Sequence, residues 1–99
     1  MEKKDYVLNF ISKIQDKEKD CLYKFFTRNT VIVFLDDFKE VIVPEFVDYL
    51  EKKIMGKEII IKRVLESKVC TKVEMDVEGK EISFLVEVKD RRIKRLEIM

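Results

Sequence analysis

The stretch from Val69 to Val88 leaves this chain little freedom of architecture. Val69, Thr71, Val73, Met75 and Val77 alternate with Cys70, Lys72, Glu74 and Asp76. After Glu78-Gly79 the alternation resumes, with Ile82, Phe84, Val86 and Val88 set against Ser83, Leu85 and Glu87. A period of two places successive side chains on opposite faces of a strand. Two such runs separated by a glycine-containing tight turn form a hairpin, because glycine accepts the positive φ that the turn demands. The apolar face of this hairpin has to be buried against other elements.

The remaining chain supplies those elements. Tyr6, Val7, Phe10, Ile11 and Ile14 recur at helical spacing and predict a helix over residues 4–14. Asp16 is the expected N-cap of a second helix, with Glu18 in its first turn and Cys21, Leu22, Phe25 and Phe26 as its apolar side, stopped by Thr27-Arg28-Asn29. Thr30–Leu35 is β-branched and aromatic and reads as a strand. Asp36-Asp37 reads as a turn, and Phe38–Val43 as a short returning strand. Pro44 suits the first position of a third helix carrying Phe46, Val47, Leu50 and Ile54, with Lys52 and Lys53 near its end and Gly56 closing it. Glu58–Glu66 is a strand with apolar residues on both faces, and Ile93, Leu96 and Ile98 mark a last strand after a turn at Lys89–Arg92. The order is α-α-β-β-α-β-β-β-β. Helices followed by hairpin-joined strands give an α+β fold with an antiparallel sheet, and the 99 residues form one domain, 1–99.

Charge and composition narrow the chemistry. Charged residues make up 41% of the chain but balance to a net charge of +1, against the basic excess of a dedicated nucleic-acid binder. There is no histidine, which removes imidazole catalysis and histidine metal ligands and leaves carboxylates, Lys, Tyr and Cys. Cys21 and Cys70 are far apart and form no C-x-x-C pair, so free thiols and a cytoplasmic location are expected. Met1–Asp5 leads into an amphipathic pattern and not an apolar leader, and no run approaches the length of a membrane span. No cofactor is expected.

The element order resembles the nuclear-transport-factor-two-like superfamily, which includes ketosteroid isomerase and the SnoaL-like polyketide cyclases. The residues carrying the resemblance are Phe25-Phe26 followed by Thr30–Phe34, then Phe46-Val47-Asp48-Tyr49-Leu50, and the closing Gly79-Lys80 and Ile93–Ile98 segments. It implies three helices packed in a curved sheet, the cystatin-like cone, whose open end often takes a small apolar ligand and whose outer sheet face often makes a dimer. In the isomerase branch a tyrosine on the first helix and a late acidic residue bind the substrate oxygen, while an aspartate after the first strand moves the proton. Aligned on Phe26, the tyrosine position falls on Phe10 and the aspartate position on Phe34, neither of which transfers a proton. A two-residue shift would bring Asp36 to the base position.

The candidate residues follow from these two readings. Tyr6, Phe10, Ile14, Phe34, Phe46, Tyr49, Leu50 and Phe84 are the expected lining of a ligand pocket, with Tyr6 and Tyr49 its hydrogen-bond donors, although aromatic residues at this spacing also make ordinary core. Asp36 and Asp37 are the acidic candidates for catalysis, and two adjacent aspartates between strands are also ordinary turn chemistry. No metal site is expected, because adjacent strand carboxylates point apart. Leu85 has the parity of Ser83, opposite to the buried set, and with Cys70 and Leu65 suggests that the outer sheet face is covered by a second copy. Lys89, Arg91, Arg92, Lys94 and Arg95 put five positive charges in seven residues, offset by Asp90. That run fits either a charged turn or a contact for phosphate, RNA or an acidic partner, and it lacks the stacking aromatics of single-strand binders. The expected function is a non-catalytic small-ligand-binding or protein-interaction domain; the alternative is a cyclase- or isomerase-type enzyme using an aspartate base on a small apolar substrate.

Overall fold

A computed structural model describes residues 2–99. The elements run α1 (Lys3–Gln15), α2 (Lys19–Leu22), a 3-10 turn (Tyr23–Phe25), β1 (Phe26–Phe34), β2 (Lys39–Val41), α3 (Val43–Lys53), β3 (Ile59–Glu66), β4 (Thr71–Val77), β5 (Lys80–Lys89) and β6 (Arg92–Ile98). The six strands form one sheet in the order β2-β1-β6-β5-β4-β3. Helices α1 and α3 lie on the same side of it, α1 over β3 and β4 and α3 over β1. Among the described residues no helix is long and apolar enough to cross a membrane.

The central hairpin forms as the alternation demands from Thr71 onward, while Val69 lies before the strand and is exposed. Thr71, Val73, Met75 and Val77 face inward from β4, and Ile82, Phe84 and Val86 from β5. Glu78 and Gly79 both have positive φ, 49° and 90°, as a two-residue turn matched to strand twist requires. The turn joining β5 to β6 repeats the device with Asp90 and Arg91 at φ 52° and 60°, without a glycine.

The sheet is not wholly antiparallel. β1 pairs with β6 in parallel, Ile32 opposite Leu96 and Phe34 opposite Ile98. The cause is topological. β2 runs against β1, α3 carries the chain back, β3 again runs against β1, and three hairpin reversals leave β6 running with it. No hairpin can make that contact, because the two strands are joined through the rest of the molecule.

The second helix is shorter than its pattern predicts. Asp16 caps the end of α1 and not the start of α2, Lys17 takes φ 61°, and Glu18 is the N-cap. The helix tightens into the 3-10 turn at Tyr23, and the chain becomes extended at Phe26. Thr27-Arg28-Asn29 is a bulge inside β1 and not a break before it: the register against β6 shifts between Phe26 and Val31. Threonine hydroxyls hold the bulge, since Thr30 Oγ1 accepts from the Thr27 N–H at 2.9 Å and donates to the Ile93 carbonyl at 2.7 Å. Burying Phe25 and Phe26 together is the physical reason. Adjacent residues leave a helix 100° apart, whereas the helix-to-strand transition lets both rings reach the core.

α3 starts one residue earlier than predicted, at Val43 with Pro44 second, and the returning strand is shorter than expected, Lys39–Val41; Glu45 lies at the positive end of the helix dipole and Lys52 and Lys53 at the negative end. Gly56 follows its C-cap Ile54 by two residues at φ 79°.

Candidate functional site

The space between helices and sheet is filled by aromatic rings. Phe10 of α1, Phe46 of α3 and Phe84 of β5 are fully buried, each at 0% exposure. The Phe84 ring centroid lies 6.5 Å from Phe10 and 6.2 Å from Phe46. Phe26 bridges the two helices at 5.6 Å from Phe10 and 6.0 Å from Phe46, edge to face with both. Such pairs add about 0.5–1.5 kcal/mol each beyond the area they bury. Ile14 and Leu50 complete the same cluster. The network extends to the surface at both ends, through Phe25 to Tyr6 at 5.1 Å and through Tyr49 to Phe34 at 4.8 Å. The structure thus brings all eight pocket candidates into or against one packed core. Among the described residues Thr71 is the only buried polar or charged side chain.

The acidic pair sits outside that core. Asp36 and Asp37 are exposed in the turn between β1 and β2. The Asp37 carboxylate accepts the Lys39 N–H at 3.3 Å, the side-chain-to-backbone bond of an aspartate turn. Among the described residues no three His, Cys, Asp or Glu side chains are grouped to hold a metal. Burial raises the Tyr49 phenol above the usual tyrosine value, and the nearby Asp36 carboxylate raises it further. Burial also raises the Tyr6 phenol, with Arg92 pulling the other way. Both phenols therefore stay protonated donors at neutral pH. A group whose folded pKa lies above its unfolded one adds stability that is complete below the unfolded value, about 10, and is lost as pH rises through the folded value. Urea denaturation from about pH 8 to about pH 11 should show stability falling across that window, and Tyr49→Phe should flatten part of the fall. An unchanged slope in the variant would contradict the assignment.

The outer face of the sheet has a different character. One row across the strands reads Leu65, Lys72, Leu85, Glu97 and Val33. Ser83 lies opposite Glu74 in the neighbouring row, and Cys70, half-buried, immediately precedes β4 with its thiol 3.4 Å from Ser67 Oγ. A bulge in β3 between Ile61 and Arg63 explains the mixed parity of that strand: Ile60 and Leu65 both reach the outer face although they are five residues apart. Ion pairs flank the apolar spots, with Arg63 and Lys72 on Glu74, Lys62 on Asp76 and Glu81, and Arg95 on Glu97. The basic run near the carboxyl end is divided by this arrangement. Lys94 and Arg95 lie on the sheet against Glu87 and Glu97, while Arg91 and Arg92 turn to a cleft on the other side.

The larger clefts on the surface include two of note. One of about 490 Å³ lies between the β1 bulge, β2 and the start of α3. The other, of about 750 Å³, lies between α1, the 3-10 turn and the β5–β6 hairpin. Tyr6 lines the larger; Phe10, Ile14, Phe34, Phe46, Tyr49, Leu50 and Phe84 line neither. The sequence reading missed Asn9, Lys13, Lys24 and Val88 on the walls of the larger cleft. The available signal was the helical stripe Lys3, Tyr6, Asn9 and Lys13 on the flank of α1.

No family model matches the sequence, and no curated protein matches it. Solved structures do match the fold. A nuclear-transport-factor-two-like protein of unknown function from Cytophaga hutchinsonii superposes with a TM-score of 0.77 at 17% identity, over 100% of this chain and 89% of that one. A SnoaL-like protein from Shewanella putrefaciens gives 0.78 at 9% identity, over 100% and 80%. An LEH-like epoxide hydrolase from M. tuberculosis gives 0.71 at 16% identity, over 96% and 79%. Identities this low carry the architecture and not the activity. By element order, strand order and these superpositions, the chain has the nuclear-transport-factor-two-like α+β fold.

Proposed function

We propose that this chain is a non-catalytic interaction domain that assembles as a homodimer through the outer face of its sheet. The observation that carries the reading is the closure of the interior by Phe10, Phe26, Phe46 and Phe84, with Thr71 the only buried polar side chain among the described residues. A catalyst of small apolar substrates needs an enclosed space with a proton-transferring group aimed into it. Among the described residues the buried interior carries aromatic rings and aliphatic side chains and no titratable group, which supports the non-catalytic reading. The outer face supplies the assembly surface: Leu65, Leu85 and Val33 are aliphatic residues in one row, bordered by charges of both signs that a two-fold partner can complement. The competing reading, an enzyme with Asp36 as base, draws on the Asp36 charge raising the Tyr49 phenol. It places the chemistry in an exposed turn, where water competes for every hydrogen bond.

Two measurements test the proposal. Light scattering at micromolar concentration should return twice the chain mass of 11.9 kDa, and a monomer mass would reject assembly. Titration with benzene, followed by thermal unfolding, should leave the unfolding midpoint unchanged. A saturable rise would reveal interior room and reopen the enzyme reading.

A further inference from the structure

The larger cleft has a composition that neither the packed interior nor the sheet face explains. Its rim carries Lys3, Lys13, Lys24, Arg91 and Arg92, with Asp90 the only acid. Five positive charges against one leave a local excess of +4 in a chain whose total is +1. Glu18 offsets Lys13 at 3.0 Å. Among the described residues, Lys3, Lys24, Arg91 and Arg92 have no carboxylate within 4.0 Å, whereas the cations of the sheet face, Lys62, Arg63, Lys72, Lys94 and Arg95, each have one. The floor is apolar, built from Tyr6, Phe25 and Val88. The four unpaired cations come from three separate parts of the chain, so their convergence is a product of folding.

The hairpin tip is also held in place. Tyr6 Oη donates to the Arg91 carbonyl at 2.9 Å, tying the tip to α1 across 85 residues of sequence. The positive φ values of Asp90 and Arg91 set the direction in which the two arginines leave the turn. Lys3 Nζ donates to the Lys68 carbonyl at 3.0 Å, which fixes the far rim.

We propose that this cleft binds a small nucleotide-type anion, with two or more phosphate charges on the lysine and arginine rim and a ring body on the Tyr6–Phe25–Val88 floor. Three features select that chemistry. A volume of about 750 Å³ holds a ligand of nucleotide size. Several cations around one cleft, among them the Arg91 guanidinium and that of Arg92, which donates from Nη1 to the Arg91 carbonyl at 2.8 Å and keeps the rest of its fork, match a multiply charged phosphate better than one carboxylate. An apolar floor, in which the half-buried Tyr6 ring meets the nearly buried Phe25 edge to face at 69°, favours a ligand with a ring body over inorganic phosphate alone. The site uses no residue of the proposed dimer face, so it stands or falls independently of assembly.

Isothermal titration of the full chain at low salt tests the proposal, using adenosine diphosphate, inorganic pyrophosphate and adenosine as probes. Adenosine diphosphate should bind saturably, one per chain, and more tightly than either pyrophosphate or adenosine. The double variant Lys24→Glu/Arg91→Glu should weaken it by about tenfold or more, because charge-assisted hydrogen bonds are replaced by repulsion. Lys52→Glu, exposed on α3, should leave it unchanged. Both substitutions in the double variant lie at exposed positions, and circular dichroism checks that the fold persists. Absence of saturable binding, equal affinity for pyrophosphate, or undiminished binding in the double variant would overturn the assignment. So would a single-stranded RNA oligomer that binds tightly and is not displaced by adenosine diphosphate. Light scattering on the same samples reports the assembly state separately.

Discussion

Replacing Phe84 with alanine should destabilise the protein by about 3–5 kcal/mol, the usual range for deleting a fully buried phenylalanine. Phe84 has no exposed surface and touches the aromatic rings of both long helices, so neither helix can follow it inward without losing its own contacts. Domains of this size have a total stability of about 5–15 kcal/mol, so the loss is a large share of the whole. Urea denaturation measures it directly. Where the variant stays folded, the resulting apolar hole should admit benzene and raise the unfolding midpoint, which the native protein should not show. A loss below about 1 kcal/mol would mean that the core collapses around the gap and is less closely packed than the ring geometry requires. Phe84→Leu keeps most of the volume and gives a folded reference if the alanine variant does not survive.

The second large effect concerns assembly. If the proposed dimer forms, Leu85→Glu should leave a monomer of 11.9 kDa with an unchanged circular dichroism spectrum. Leu85 is half-buried on the outer face, between Lys72 and Glu97 in adjacent strands. A carboxylate there adds little strain to an isolated chain, because water reaches it and Lys72 is beside it. In a two-fold interface the same carboxylate loses water and meets its own symmetry mate or Glu97. A buried uncompensated charge of this kind weakens association by about 2–5 kcal/mol, or roughly 30- to several thousand-fold in the dissociation constant. Leu65→Glu, in the same row, should act in the same direction. A mass that stays at the dimer value in both variants would place the interface elsewhere.

How far the sequence could be read depended on the range of the interactions involved. The β4–β5 hairpin was legible because alternation and the Glu78-Gly79 turn are written within twenty residues. α1 and α3 were legible for a similar reason, through helical spacing together with Pro44, Glu45 and the closing lysines. The second helix was overread. Phe25 and Phe26 look helical beside Leu22, yet the core accepts both rings only if the chain straightens at Phe26. The exchange of Asp16 between capping roles follows from that shortening. The basic run near the carboxyl end looked like one patch, and strand alternation with the bulge at Glu87–Val88 divided it between two sides of the molecule.

Local order along the chain therefore settled most segments as helix or strand, the stretch Tyr23–Asn29 excepted, and which side of β4 and β5 is buried. Those choices depend on neighbours a few positions away and on backbone preferences. Three features were decided only when distant segments met: the parallel contact of β1 with β6, the filling of the interior by rings from α1, β1, α3 and β5, and the gathering of unpaired cations around Tyr6. Each depends on where two remote pieces come to lie relative to one another. That placement is set by the combined packing of the whole core, and no short-range pattern encodes it.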